Sequence, residues 1–583
     1  MRRFLTTMLL AATYVVASAQ TQTANRGQRL NPDDYIFPVQ QTSRLFSANF
    51  GELRPGHFHA GVDIKTDGEE GHPLVAVADG YVSRMTVSAG GYGRALYLTL
   101  RNGTTAVYGH LQRFRKDLEE CLRSERYARR ANGVDLWFEA DRWPVHQGDV
   151  IGYAGNSGSS MGPHLHYEIR DTPTQRLHNL VRERIVRPED NLPPRILRIH
   201  YVEVDTLDGV PVRSPAESYA VVRDADGRYR LTRGEPVEVG RRGYFILETS
   251  DRRNGVYNTF GVWRVEARCD DRPYFEYRMD GFTHDLSRCC DAVSCYPLKI
   301  GSRNEVIRLA QLAGAPDLFY PQMVDRGVVR CEPGASRRIR IEVEDDCGNR
   351  SSIEFPIVGR REEFRARVDS AAVALFPGRN SLVRVGDEAV ARIQKGSLYE
   401  PLFVHPRRLD QPQSRAGVVV LSPVYRFLEA TTPLYSPALV TIRTQVPPRL
   451  RLHTVLAGRG SKGGLYLVGG TYSNGAVTAV TRTTGDLLVV ADTLPPTVRP
   501  LFTEGASLSS AAELRFRTSD NFSGIASWTL RIDGEWVPCD RFPMKGTLVH
   551  RFDRPAAHRR HTYELTVRDA CGNSARHSGS FVR

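Results

Sequence analysis

From Leu45 to Arg170 the chain alternates apolar and polar positions in short runs broken by glycine. Pro73–Asp79, Ala95–Leu100, Thr105–Tyr108 and Val150–Ala154 are such runs, punctuated by Gly80, by Asn102 and Gly103, and by Gly155. A period of two with Asn-Gly and Gly-Gly turns predicts an antiparallel β domain. One stretch, from Arg115 to Arg130, departs from it. Leu118, Cys121 and Leu122 fall at helical spacing among Glu and Arg, which predicts a helix inserted between strands. Strand-like runs return at Leu382–Val385, Gly464–Gly470 and Val477–Thr481.

Three short patterns recur in the same order. Asn191–Ile196 and Thr493–Val498 share Leu-Pro-Pro, Thr249–Asp251 and Thr518–Asp520 share Thr-Ser-Asp, and Asp346–Arg350 and Ala570–Ser574 share Cys-Gly-Asn. Ordered recurrence argues for two copies of one module. They resemble immunoglobulin-like β-sandwich modules of bacterial surface proteins. With 583 residues there is chain for roughly four domains. The organisation expected is a signal peptide (1–19), an N-terminal segment (20–44), a catalytic domain (45–189) with a helical insertion at about 112–146, a first module with its own insertion (190–360), a further β-rich domain (361–491) and a second module (492–583).

Arg2 and Arg3, the apolar run Phe4–Val16 and the small residues Ala17, Ser18 and Ala19 have the order of a secretory signal. No other apolar run reaches the length of a membrane helix, so no transmembrane segment is expected. The protein is expected to be exported, periplasmic or associated with the cell envelope or surface. The net charge of +13 comes mostly from arginines spread along the chain. With no basic stripe and an exported location, nucleic acid is not an expected partner. An exported protein with nine cysteines should carry disulfides, one thiol at least staying unpaired. Cys121 stands alone in its region and is the expected free thiol. The repeat aligns Cys269 with Cys539 and Cys347 with Cys571, which predicts bridges Cys269–Cys347 and Cys539–Cys571. The cluster Cys289, Cys290 and Cys295 lacks paired metal-ligand spacing and reads as further disulfide-forming cysteines.

The chemistry concentrates in His59, Asp63, His110, His164 and His166. His164 and His166 are alternate residues of a strand-like run, so both imidazoles face one side while Leu165 faces the other. A catalytic zinc takes three His or carboxylate ligands and leaves a fourth position open. His57 competes with His59 for a place in such a set; His72 and His146 read as surface residues. Trp137, Phe138 and Trp143 read as core packing rather than a sugar-binding wall.

The segments HFHAGVDI, GGYG, VYGHL and GNSGSSMGPHLHYEIR resemble the lysostaphin-type, or LytM-like, zinc metallo-endopeptidases of bacterial cell-wall turnover, over about residues 45–170. The resemblance implies a mainly β fold, an antiparallel sheet built on a duplicated hybrid motif, here followed by immunoglobulin-like sandwiches. It implies Zn²⁺ held by His59, Asp63 and His166, the His-x-Gly-x-Asp spacing choosing His59 over His57. It implies His110 and His164 as catalytic residues off the metal: His164 as base for water, His110 for the oxyanion or leaving amine. The substrate implied is a peptide bond of peptidoglycan stems or cross-links; glycan is not cut. The stretch from Gln112 to His146 lies beyond the family's minimum and is read as a lid, a docking element or a neutral insertion.

Two other functions compete: a non-catalytic scaffold that binds wall or activates another hydrolase, and an adhesin dominated by the β modules. The complete set of five residues favours the enzyme. The C-terminal modules are expected to position it or to bind a protein partner.

Overall fold

The computed structural model describes residues 29–362, 364–553 and 558–583, so the signal-peptide reading of 1–19 lies outside the described residues. The chain is mainly β. In the first domain, strands β1 (Phe46–Ala48), β2 (Val62–Lys65), β3 (Gly80–Val87), β4 (Arg94–Leu100) and β5 (Thr104–Gly109) precede helix α1 (Lys116–Arg129). Strands β6 (Val134–Trp137) and β7 (His164–Asp171) follow. They form one antiparallel sheet in the order β1-β2-β7-β5-β4-β3-β6. A small second sheet joins Pro73–Val75, Val150–Tyr153 and Arg113–Phe114. The turn between β4 and β5 uses Gly103 at φ +84°, a left-handed conformation that glycine adopts without strain.

The middle of this sheet is covered on both faces, and β5 is buried along its length. Leu96, Leu98, Ala106, Tyr108, Leu165, Tyr167 and Ile169 share one core with Leu118 and Leu122 of α1. The leucines four apart place one face of the helix on that core. Phe138 and Trp143 pack against it as well, whereas Trp137 is 69% exposed, with Arg84 over its ring. The core-packing expectation thus fails for Trp137, which the alternation of β6 turns outward.

The segment after Gln112 meets the last module. Arg126 of α1 donates to Asp540 at 2.7 Å, and Arg94 donates to the same carboxylate at 2.9 Å. Asn132 donates to the Trp528 carbonyl and accepts from the Cys539 amide, while Tyr127 meets Trp536 edge to face. The last module therefore folds back onto the first domain. That module is two four-stranded antiparallel sheets around Leu514, Phe516, Leu530, Leu565 and Phe581. In the region 190–360, Arg195–Leu207 pairs with Arg242–Ser250, and Ser336–Glu344 forms a hairpin with Arg350–Gly359.

The cysteine expectations are corrected. All nine thiols are free: Cys121 is free as expected, but so are the other eight, and Cys289, Cys290 and Cys295 are buried without bridges. Cys269 lies opposite Ile339, whereas Cys347 lies past Glu344, five ladder positions or about 17 Å further on. No disulfide spans that separation. Cys539 sits in the core of its own module, while Cys571 packs with Val418 and Val420 of the preceding domain. No helix among the described residues is long and apolar enough to cross a membrane.

Candidate metal centre

His59 follows a small hairpin of Leu53–Arg54 with His57–Phe58. The hairpin is anchored from outside the first domain. Phe50 and Phe58 meet Phe282 at centroid distances of 5.1 and 5.3 Å, and Phe58 meets Phe319 at 5.2 Å. His57 is exposed, with Nδ1 near the Pro55 carbonyl, and stands away from the site. Asp63 on β2 and His166 on β7 are direct cross-strand partners, and His166 faces Gly109 of β5 on its other side. A Cβ at Gly109 would lie 3.2 Å from the His166 Cβ and 3.3 Å from the Tyr92 ring, so glycine leaves room for the imidazole there.

These elements bring three atoms to one point. His59 Nε2 is 3.1 Å from Asp63 Oδ1 and 3.1 Å from His166 Nδ1, and His166 Nδ1 is 2.8 Å from Asp63 Oδ1. His59, Asp63 and His166 are 3%, 7% and 4% exposed. The outer nitrogen of each imidazole is already committed. His59 Nδ1 donates to the Asn49 carbonyl at 2.7 Å, and His166 Nε2 donates to Glu168 Oε1 at 2.8 Å. Both rings therefore present a lone pair toward the carboxylate, with their tautomers fixed by the outer bonds. Two lone pairs and an anionic oxygen converging in a buried place call for a cation or a proton.

The electrostatics agree. Burial pushes His59 down to about 4. Burial also disfavours charge on His166, but its bonds to Asp63 and Glu168 outweigh that and raise it to about 9. Burial opposes the Asp63 charge, yet the facing histidines hold its carboxyl well below the usual range. A proton on His166 thus stands where a metal ion would. The donor set, two imidazoles and one carboxylate, suits zinc.

His110 and His164 flank the cluster, their ring centroids 4.7 Å apart. His164 Nε2 lies 3.7 Å from Asp63 Oδ1, and its Nδ1 donates to the Gly162 carbonyl at 2.8 Å. His110 closes β5 at φ +64°, and its Nδ1 donates to the Ser157 carbonyl at 2.8 Å. Burial, reinforced by His164 and His166, pushes His110 down to about 3, so the ring is neutral. Each ring has Nε2 left to accept a proton.

Five further residues belong to this environment. Glu168 orients His166 and pairs with Arg170 and with the Tyr92 hydroxyl. The Tyr92 ring lies against His166 at 5.1 Å. Arg54 donates to Asp63 Oδ2 at 3.2 Å, and the Asn49 carbonyl holds His59. The period of two that aligns His164 with His166 extends to Glu168. Nothing local in the sequence marks Asn49 or Arg54.

No family model matches the chain. It is 32% identical over 166 residues to an uncharacterized metalloprotease of Haemophilus influenzae, covering 27% of this chain and 29% of that protein. It is 33% identical over 118 residues to the DD-carboxypeptidase/endopeptidase Mpg of Neisseria meningitidis, covering 20% of this chain and 21% of Mpg. The match thus spans under a third of either relative's length. Among solved structures the chain is similar to the catalytic domain of the M23 protein EnpA from Enterococcus faecalis, at 27% identity, 23% of this chain, 85% of that chain and a TM-score of 0.17. The motifs around the five residues are similar to those of the lysostaphin-type metallopeptidases, and the curated relatives are a metalloprotease and a DD-carboxypeptidase/endopeptidase.

Proposed function

We propose that the protein is an exported zinc-dependent endopeptidase that hydrolyses peptide bonds of peptidoglycan stems or cross-links. The convergence of His59 Nε2, Asp63 Oδ1 and His166 Nδ1 carries this reading, because the outer hydrogen bonds leave those atoms free to hold an ion. When bound there, zinc polarises the scissile carbonyl and acidifies water. The chain's own residues move the protons. His164, with Nδ1–H held by Gly162, accepts a proton from the attacking water at Nε2. His110, with Nδ1–H held by Ser157, has no hydrogen on Nε2 while neutral. It therefore serves as a proton carrier toward the leaving amine, and acts as an oxyanion donor only once protonated. Asn49, Glu168 and Arg54 keep the ligand set in position.

Metal analysis of the purified chain and its His166→Ala variant, paired with digestion of purified sacculi, tests the proposal. One zinc per chain and released muropeptides, both lost in the variant, are expected. A chain without zinc that releases nothing from sacculi overturns it. One observation favours a second reading, a scaffold or activator of another hydrolase: His59, Asp63, His110 and His166 are each 8% exposed or less. Activation of a separate hydrolase by the His166→Ala variant would establish that role.

A further inference from the structure

The repeated patterns converge in space. In the first module Asp190 stands two before the Leu of Leu-Pro-Pro, Asp251 ends Thr-Ser-Asp, and Asp345 stands two before the Cys of Cys-Gly-Asn. In the second, Asp492, Asp520 and Asp569 hold the same places. Carboxylate oxygens of Asp492, Asp520 and Asp569 lie within 4.8 Å of one another. Those of Asp190 and Asp345 do so together with Cys347 Sγ.

The framework around the two clusters is the same. Asp345 accepts from the amides of Cys347 and Asn349 and from the Asn349 side chain; Asp569 accepts from the amides of Cys571 and Asn573 and from the Asn573 side chain. Asn349 also donates to the Asp190 carbonyl, and Asn573 to that of Asp492. Each turn thus clasps the segment that enters its module.

What these bonds leave over points to a ligand. Asp251 is 0% exposed, and neither of its carboxylate oxygens has a hydrogen-bond partner. Asp345, Asp346 and Asp190 are its charged neighbours. One oxygen of Asp190 and one of Asp520 are likewise buried and unpartnered. In the first module the Arg253 guanidinium pairs with Asp346 through Nη2, while its Nε and Nη1 are buried without a hydrogen-bond partner. The second module has Phe522 at the place of Arg253. A buried group of carboxylates with bare oxygens is stable when a cation neutralises it.

We propose that each module holds a calcium-class divalent cation, one at Asp190, Asp251 and Asp345 and one at Asp492, Asp520 and Asp569, tying the incoming segment to its sandwich. Carboxylate oxygens from flexible loops suit calcium rather than a soft metal. The ions would stiffen the two junctions at which the modules join the rest of the chain, a role separate from the histidine cluster.

Calorimetric titration of the chelator-treated full chain with CaCl₂, repeated with MgCl₂ and ZnCl₂, tests this. Two calcium ions per chain are expected, one in Asp251→Asn, one in Asp520→Asn and none in the double variant. Calcium should raise the unfolding midpoint of the wild type by at least about 4 °C and leave the double variant unmoved. Circular dichroism and retention of one zinc at the histidine cluster identify variants that have kept their fold. No calcium binding at millimolar concentration, or a stoichiometry that the substitutions leave at two, overturns the proposal. Zinc saturating these clusters in preference to calcium overturns the calcium assignment.

Discussion

Arg126 and Asp540 stand 414 positions apart in sequence and 2.7 Å apart in space. Arg126 belongs to the helix inserted after the His110 motif, and Asp540 belongs to the last β module. The same carboxylate receives Arg94, so the start of β4 and the last module are joined through one anion whose side chain is 12% exposed. The insertion therefore acts as a bracket, and the final module is held against the histidine-bearing domain rather than trailing from it.

Removing that anion should loosen the bracket. In Asp540→Asn, Arg126 keeps its charge with a neutral amide in place of the carboxylate, while Arg94 retains Glu119 at 2.6 Å, each guanidinium side chain being 6% exposed. Breaking such a pair costs about 3 kcal/mol or more. Limited proteolysis should cut between the modules faster in the variant, and calorimetry should show the last module melting earlier. A melt identical to wild type would contradict the role given to Asp540.

The same contact should be acid-sensitive. Burial alone would raise the Asp540 carboxyl, but Arg94, Arg126 and Arg551 outweigh it and hold it well below the usual carboxylate range. A depressed folded value contributes stability that is present above the unfolded value of about 4 and lost as pH falls through the folded one. The melting temperature of wild type should fall below about pH 4 more steeply than that of Asp540→Asn. Parallel curves would sink this reading.

Glu168→Gln should weaken metal binding without emptying the site. The side chain is 0% exposed and orients His166 while pairing with Arg170. Loss of such an outer partner lowers affinity by about 10–100-fold. Chelator competition on the two proteins measures the difference. The variant should also melt earlier, because Arg170 loses its ionic partner.

Gly109→Ala should act through geometry alone. The added methyl group would stand 3.2 Å from the His166 Cβ and displace the imidazole or Tyr92. We expect zinc affinity and wall hydrolysis to fall together by at least about tenfold, with circular dichroism unchanged. Full activity would mean that β5 shifts to absorb the methyl group.

The sequence alone determined the β character of the chain, because a period of two and its turn residues are local properties of neighbouring positions. It also put His164 and His166 on one face of one strand, and the repeat named Asp251 and Asp520 as equivalents before their surroundings were visible. Partners that approach through space were decided by the tertiary structure alone. Asn49 and Glu168 set the imidazole tautomers, Phe282 and Phe319 anchor the hairpin before His59, and Asp540 captures the inserted helix. The disulfide pairing failed for the same reason. Repeat order aligns Cys269 with Cys539 and Cys347 with Cys571, but which end of a sandwich each thiol occupies depends on strand register and neighbouring cores. Local pattern fixes which way a side chain points; packing between distant segments fixes what it meets.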